Sequence, residues 1–189
     1  MSNFFRNFPT VDYRLDKGTE TIKITNIMKR FRPLKDVMKD KYIFFDYNIQ
    51  EGERAETVAH KLYDNVDYHW VITMFNEYLD PYFSWPLFYQ EFEKYLEEKY
   101  GSVEQSTQIV YQYQWIIQHK QILYDGTLVP ERMLVVDEAT FYGIDEEADR
   151  RIVYCYDYEV EKNDAKRQIK ILDASYLRQL MKEKESIFG

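Results

Sequence analysis

Between Tyr42 and Asn76 the spacing of apolar residues changes from one period to another over a short length, and few folds accommodate that. Tyr42 to Ile49 is dense in aromatic and β-branched residues and reads as a strand. A turn follows at Glu51, Gly52 and Glu53, where glycine takes the positive φ that other residues resist. Ala55, Val58, Ala59 and Leu62 then fall at i, i+3, i+4 and i+7, which is one face of a helix. Asp64, Asn65 and Val66 lead into a second helix, with Asp67 as its expected N-cap. That helix sets Trp70, Val71, Met74 and Phe75 on one side and closes near Asn76. A strand followed by two short helices needs a returning strand to complete its sheet.

The remaining segments are organised around this unit. Residues 1–41 read as a polar, irregular arm with a short helical candidate, Asn26 to Phe31, behind Thr25. Residues 78–86, YLDPYFSWP, form an aromatic loop in which Pro81 and Pro86 prevent a regular ladder, so Tyr82, Phe83 and Trp85 either pack inward or stand exposed for a partner. A third helix, from Pro86 to about Tyr100 with Ser84 near its cap, buries Phe88, Phe92, Tyr95 and Leu96 and ends at Gly101. Gln108 to Gln118 alternates, placing Ile109, Tyr111, Tyr113, Trp115 and Ile117 on one face of a half-buried strand. Ile122 to Tyr124 and Arg132 to Val136 are its expected partners, with Asp125 and Gly126 as the hairpin turn. Tyr156 to Lys166 reads as a polar helix and Gln168 to Leu172 as a strand. Asp173 then caps a last helix with Leu177, Leu180 and Met181 inward. The expected fold class is α+β, divided into an arm (1–41), a small domain (42–82) and a helix plus β-rich region (83–189).

Composition narrows the function. The 189 residues carry 25 Lys and Arg against 33 Asp and Glu, a net charge of −8, and 17% of them are aromatic, including 18 Tyr. Tyr in this number suits surfaces that bury large rings with a polar tip, as partner interfaces and sugar-binding faces do. Only 6 Gly are present, scattered, and neither a phosphate-cradling glycine loop nor a G-x-S-x-G nucleophile turn occurs. The single cysteine, Cys155, has no disulfide partner and is expected to be a buried structural thiol. His60 and Asp64 stand four apart without a second histidine nearby, and Asp145 to Asp149 lacks the glycine and terminal Glu of a calcium loop. No metal, cofactor or catalytic residue is expected, and no membrane span. The start, MSNFFRNFPT, lacks the apolar core of a secretory signal, so the chain is expected to act where it is made.

Charge is segregated along the chain. Lys29, Arg30, Arg32, Lys35, Lys39 and Lys41 stand against Asp36 and Asp40, whereas Glu131 to Asp149 is strongly acidic. Nucleic acid is a poor match for the basic run, because phosphate binding needs a positive field over a whole face. The run reads as a solvated face or as a strip that docks on an acidic protein surface.

Tyr47, Ile49, Gly52, Glu53, Val58, Ala59, Leu62 and Tyr63, followed by Trp70 and Asn76, resemble the LysM module. That resemblance implies a small βααβ core, with a shallow sugar groove formed by Glu51 to Arg54 and Glu77 to Asp80. Over a longer span, the N-terminal FF and P-x-x-Y, then YHWVITMFNEYLDPYFSW, QIVYQY and KRQIKIL before a final helix, are similar in order and spacing to the gene product fifty-three family of baseplate wedge subunits in T4-like contractile-tailed phages. The Trp70 to Tyr82 segment is the most specific part. This second resemblance implies a non-catalytic structural protein of the virion tail, assembled in the host cytoplasm, that clamps neighbouring wedge subunits near the central hub. Its implied partners are other wedge proteins, including the small sheath-initiator-like subunit. Tyr82, Phe83 and Trp85 are the expected contact rings, and Lys29, Arg30, Arg32 and Lys35 the charged strip. The competing reading is a LysM-type module that binds peptidoglycan or chitin.

Overall fold

The strand that closes the βαα segment comes from the far end of the chain. The structure, a computed structural model, describes residues 3–14, 20–30, 42–80 and 83–188. In chain order its first elements are β1 (Thr10–Arg14), β2 (Thr21–Thr25), β3 (Phe44–Asn48), α1 (Ala55–Tyr63) and α2 (His69–Phe75). There follow α3 (Tyr89–Tyr100), α4 (Val103–Ser106), β4 (Val110–Gln118), β5 (Gln121–Ile122), β6 (Leu128–Val129), β7 (Arg132–Val136) and α5 (Glu138–Tyr142). Last come β8 (Arg150–Tyr154), α6 (Cys155–Asp164), β9 (Gln168–Leu172) and α7 (Ala174–Phe188). The class is α+β, as the sequence predicts. Two units divide the chain: Met1–Pro86 with Lys166–Gly189, and Leu87–Ala165.

In the first unit β3 pairs antiparallel with β9, Phe44 opposite Leu172 and Asn48 opposite Gln168. The Ile49 N–H donates to the Arg167 carbonyl at 2.9 Å and the Asp173 N–H to the Ile43 carbonyl at 2.9 Å, so the ladder runs past both strand ends. The buried Tyr63 hydroxyl donates to the Leu172 carbonyl at 2.9 Å, tying the end of α1 to the returning strand. Asp64, at φ 55°, takes the left-handed turn that ends α1. The Asn76 amide pairs with the other edge of β9: its Nδ2 donates to the Lys170 carbonyl at 2.8 Å and its Oδ1 accepts the Lys170 N–H at 2.9 Å. One side chain thus satisfies a strand edge that would otherwise invite foreign pairing. Ile49, Val58, Ala59, Val71, Ile72 and Ile171 form the fully buried centre, and Leu177 and Leu180 of α7 close it.

In the second unit β4 lies between β7 and β8, all antiparallel. Asn163 of α6 repeats the device of Asn76. Its Oδ1 accepts the Leu87 N–H at 2.8 Å and its Nδ2 donates to the Leu87 carbonyl at 3.0 Å, fixing the chain just before α3.

Several local expectations change. The arm is not irregular throughout: β1 and β2 pair from Thr10 opposite Thr25 to Arg14 opposite Thr21, and residues 26–30 form a turn where a helix was expected, with Thr25 inside β2. Alternation of Val11 with Tyr13 and of Ile22 with Ile24 carries the strand period there. Asn65, not Asp67, makes the cap before α2; its Oδ1 accepts the Asp67 N–H at 2.9 Å and starts a 3₁₀ turn at Val66–Tyr68. The third helix begins at Tyr89, without Ser84 as its cap. Part of the acidic segment is helical, α5, because Asp137 caps it through the Thr140 N–H and hydroxyl. Asp173 does cap the last helix, accepting the Ser175 N–H at 2.8 Å.

Candidate functional site

Trp85 belongs to the core of the first unit rather than to its surface. The ring is 9% exposed and its Nε1–H donates to the Glu53 carbonyl at 2.8 Å, with the Tyr78 ring edge-on at 6.1 Å. The aromatic loop is therefore pinned to the turn that precedes α1. Phe83, two residues earlier, is 71% exposed. Tyr82, Arg32 and Lys35 lie outside the described residues, while Lys29 and Arg30 are both exposed. Of the contact rings expected from sequence, Phe83 is the one seen in solvent, and Trp85 positions it by anchoring the chain behind it.

The same turn holds a small polar network. Glu53 accepts the Gln50 N–H at 2.9 Å, the Tyr47 hydroxyl at 2.8 Å and the Lys61 ammonium at 3.1 Å. Burial works against the carboxylate, but those three donors outweigh it and hold its pKa below the ordinary glutamate value. The helix N-cap is Arg54, whose N–H donates to the Thr57 hydroxyl in the first turn of α1 at 2.7 Å. Glu53 thus braces the turn against the start of the unit, and Gly52, at φ 84°, makes that turn possible. The remaining motif positions are internal: Ile49, Val58, Ala59, Tyr63 and Trp70 are buried, and Tyr47 and Leu62 are half-buried against them.

Two clusters escaped the sequence reading. Lys184 of α7 is buried, with its ammonium 5.3 Å from the Trp70 ring centre and 5.7 Å from that of Phe4. Burial pushes its pKa down, and the electron-rich ring faces offset part of that cost. Phe8 stacks on Phe188 at 4.4 Å beside it, so the first residues of the chain are fastened to its last helix. In the second unit the buried Glu159 accepts the Tyr95 hydroxyl at 3.2 Å and the Tyr100 hydroxyl at 3.0 Å, and pairs with Lys99. Burial, then the hydrogen bond to Glu159, raises Tyr100 to about 12. Neither cluster has a local sequence signal, because a lone lysine or glutamate in a polar helix becomes buried only through what packs on it.

The alternating strand is the largest departure. Ile116 and Gln114 are its buried residues, whereas Ile109, Tyr111, Trp115 and Ile117 are exposed. The period of two persists, with Gln112, Gln114 and Ile116 on the covered face, so the structure covers the face opposite to the expected one. Phe141 of α5 covers Tyr113 at 4.9 Å and lies under the Arg150 guanidinium, leaving Trp115 and the neighbouring Leu134 uncovered. Arg151 and Glu131 join the two outer strands by a bidentate pair, both contacts 2.8 Å. Cys155 is buried, as expected of a structural thiol.

Among the described residues no cluster of three or more His, Cys, Asp or Glu is placed to hold a metal ion, and no helix is long and apolar enough to cross a membrane. What the surface does offer is apolar side chains in solvent: Ile27, Met28, Tyr42, Leu79 and Phe83 among those of the first unit, and much of 109–135 in the second. Exposed apolar surface of this kind is what contact with other proteins covers. Comparison with known proteins gives the chain an identity: residues 3–125 match the family described as base plate wedge protein 53. The chain is also 29% identical to the baseplate wedge protein gp53 of Enterobacteria phage T4, over 95% of its own length and 92% of that relative's. The chain belongs to the base plate wedge protein 53 family and is a structural baseplate wedge component.

Proposed function

We propose that this protein is a non-catalytic clamp within the wedge of a contractile-tail baseplate, holding neighbouring wedge subunits together near the hub. The family match across residues 3–125 is the observation that carries this reading. The first unit, whose βααβ order of β3, α1, α2 and β9 fits a LysM-like framework, serves as the rigid body of the clamp. Lys29, Arg30 and Phe83 on that unit, and the apolar sheet of the second, are its contact surfaces. The partners are other wedge proteins, among them the small sheath-initiator-like subunit, and assembly takes place in the host cytoplasm before the virion is complete.

Sugar binding is disfavoured by the position of Trp85. In a LysM-like groove the saccharide lies between the turn after the first strand and the loop after the second helix. Here Trp85 reaches from beyond that loop to the Glu53 carbonyl, and Tyr78 packs on it. The rings that might stack on a sugar are engaged with the chain itself.

The test is reconstitution. Purified protein is expected to join wedges assembled without it and to remain in the supernatant when mixed with peptidoglycan. Retention on peptidoglycan together with failure to join the wedge would reverse the assignment.

A further inference from the structure

The second unit carries a β-finger whose tip is apolar. In the β4/β7 pair Gln118 stands opposite Arg132, and in the β5/β6 pair Gln121 stands opposite Val129 and Ile122 opposite Leu128. Past the irregularity between Ile116 and Gln118 the two pairs share one register, so Tyr113 to Val136 is one long hairpin, interrupted at His119–Lys120 and at Pro130–Glu131, where proline offers no N–H to the ladder. The third strand accompanies it only as far as Trp115 opposite Arg150. From there to the turn the ribbon is two-stranded and reaches up to about 30 Å at about 3.3 Å per residue.

The tip is held in shape. The Leu123 N–H donates to the Thr127 carbonyl at 2.9 Å and the Gly126 N–H to the Leu123 carbonyl at 2.9 Å, with Gly126 at φ 82°. Asp125 accepts the Thr127 N–H at 2.9 Å. On this fixed turn Ile122 is 72% exposed, Tyr124 is fully exposed, and Leu123 and Leu128 are also in solvent. A preformed apolar tip loses little conformational freedom on docking, which is what an inserted contact requires. At the root His119 pairs with Asp149 at 2.8 Å, and Glu131 with Arg151. Asp149, Glu131 and Arg151 are thereby engaged within the unit, and the exposed Lys120 and Arg132 give the shaft a positive collar.

We infer that this tip seats in an apolar socket with an acidic rim on another wedge protein. The inference rests on the clamp reading above and names the surface through which it acts. Charge selects the occupant: the apolar tip fits an apolar hollow, and the two cations at its root fit acids around the mouth. An anionic bilayer would also take an apolar tip with a basic collar. However, a bilayer is an extended anionic plane, which the chain's net −8 and the exposed Glu146 and Glu147 near the root oppose, whereas the rim of a socket has to meet only Lys120 and Arg132 on the shaft.

The experiment compares three full-length proteins for joining wedges assembled without this subunit: wild type, the triple variant Ile122→Ser/Tyr124→Ser/Leu128→Ser, and the charge reversal Lys120→Glu/Arg132→Glu. All three are expected to keep the wild-type melting temperature, because these side chains are already in solvent. The triple variant is expected to lose roughly tenfold or more in affinity for the wedge, and the charge reversal a smaller amount that shrinks as salt is raised. A photo-crosslinking residue at 124 is expected to attach to a wedge protein beside acidic side chains. If wild type joins and the triple variant joins equally well, the finger inference is wrong while the clamp reading stands. If wild type itself fails to join, both fall. Crosslinking between two copies of this chain, or capture by phosphatidylglycerol vesicles that the triple variant loses, would overturn the socket in favour of self-association or of a membrane.

Discussion

In the unit made from the two chain ends, Ile49, Val58, Val71 and Ile171 are wholly enclosed, and Asn76 occupies the edge of β9 that β3 leaves open. In the unit between them, Trp115, Ile117, Leu134 and Val135 remain in solvent around a three-stranded sheet that continues as a bare two-stranded ribbon. Both units fix a backbone segment with an asparagine amide and both bury one charged side chain, so the contrast does not lie in the quality of their internal bonding. It lies in where the apolar side chains left in solvent stand: in the first unit on the β1/β2 ribbon and on connecting segments, at Ile27, Met28, Leu79 and Phe83, and in the second on its main sheet and the ribbon that extends it. A two-stranded ribbon is marginal by itself, and the apolar residues left in solvent gain most when another protein covers them.

Removing β9 and α7 should break this comparison most visibly. A chain ending at residue 165 is expected to lose the fold of residues 42–80 altogether while the protection of β4 and β8 persists, as read by amide hydrogen exchange. Loss of protection in both units to the same degree would show that they do not differ in this way. Next in size is Trp85→Ala, expected to cost about 3–5 kcal/mol by emptying a core site, with a corresponding fall in melting temperature. A variant as stable as wild type would return Trp85 to the list of surface contacts.

Smaller changes sharpen the contrast. Glu159→Gln in the second unit removes the charge that Lys99 and two tyrosine hydroxyls address, for a loss of about 1–3 kcal/mol in chemical denaturation. Asn76→Ala is expected to cost about 1–2 kcal/mol and to expose the outer edge of β9, detectable as faster exchange of the Lys170 amide. Acid should weaken both units: Glu53 and Glu159 are each held below the ordinary glutamate value. Their contribution is present above the unfolded value, near pH 4.3, and disappears as pH falls through the lower folded one. Tyr100 acts at the opposite end, its contribution fading as pH rises from about 10 toward about 12. Glu53→Gln combined with Glu159→Gln should flatten the acid limb of stability against pH, and an unchanged limb would assign it to other carboxylates. The finger-tip variant is expected to be the quietest, within about 0.5 kcal/mol of wild type.

Much of the first unit was legible because its signals are local. The spacing of Ala55, Val58, Ala59 and Leu62 needs only one helix face to explain it, and Asp173 next to an amphipathic run marks a helix start wherever it occurs. Gln168–Leu172 was readable as a strand for the same reason, but nothing within it says that its partner is Phe44–Asn48, since strand pairing depends on which edges meet after collapse. Trp85 shows the limit at the candidate site. A ring between prolines satisfies packing and display equally well, and only the Glu53 carbonyl placed beneath its N–H distinguishes them.

The alternation of Gln108–Gln118 fixed a strand but not which side would be covered, because a period of two has two faces and what packs on them comes from elsewhere in the chain. Local sequence therefore determined β3, α1, α2, β4, α6, β9 and α7 though not β1, β2 or α5, the α+β class and, through its similarity to known wedge proteins, the kind of work the chain does. Tertiary structure alone decided that the chain ends meet, that Trp85 and Lys184 go inside, and that the finger stays out. The reason is physical: propensity and period act over a few residues, whereas burial is settled by which distant surfaces come together first to exclude water.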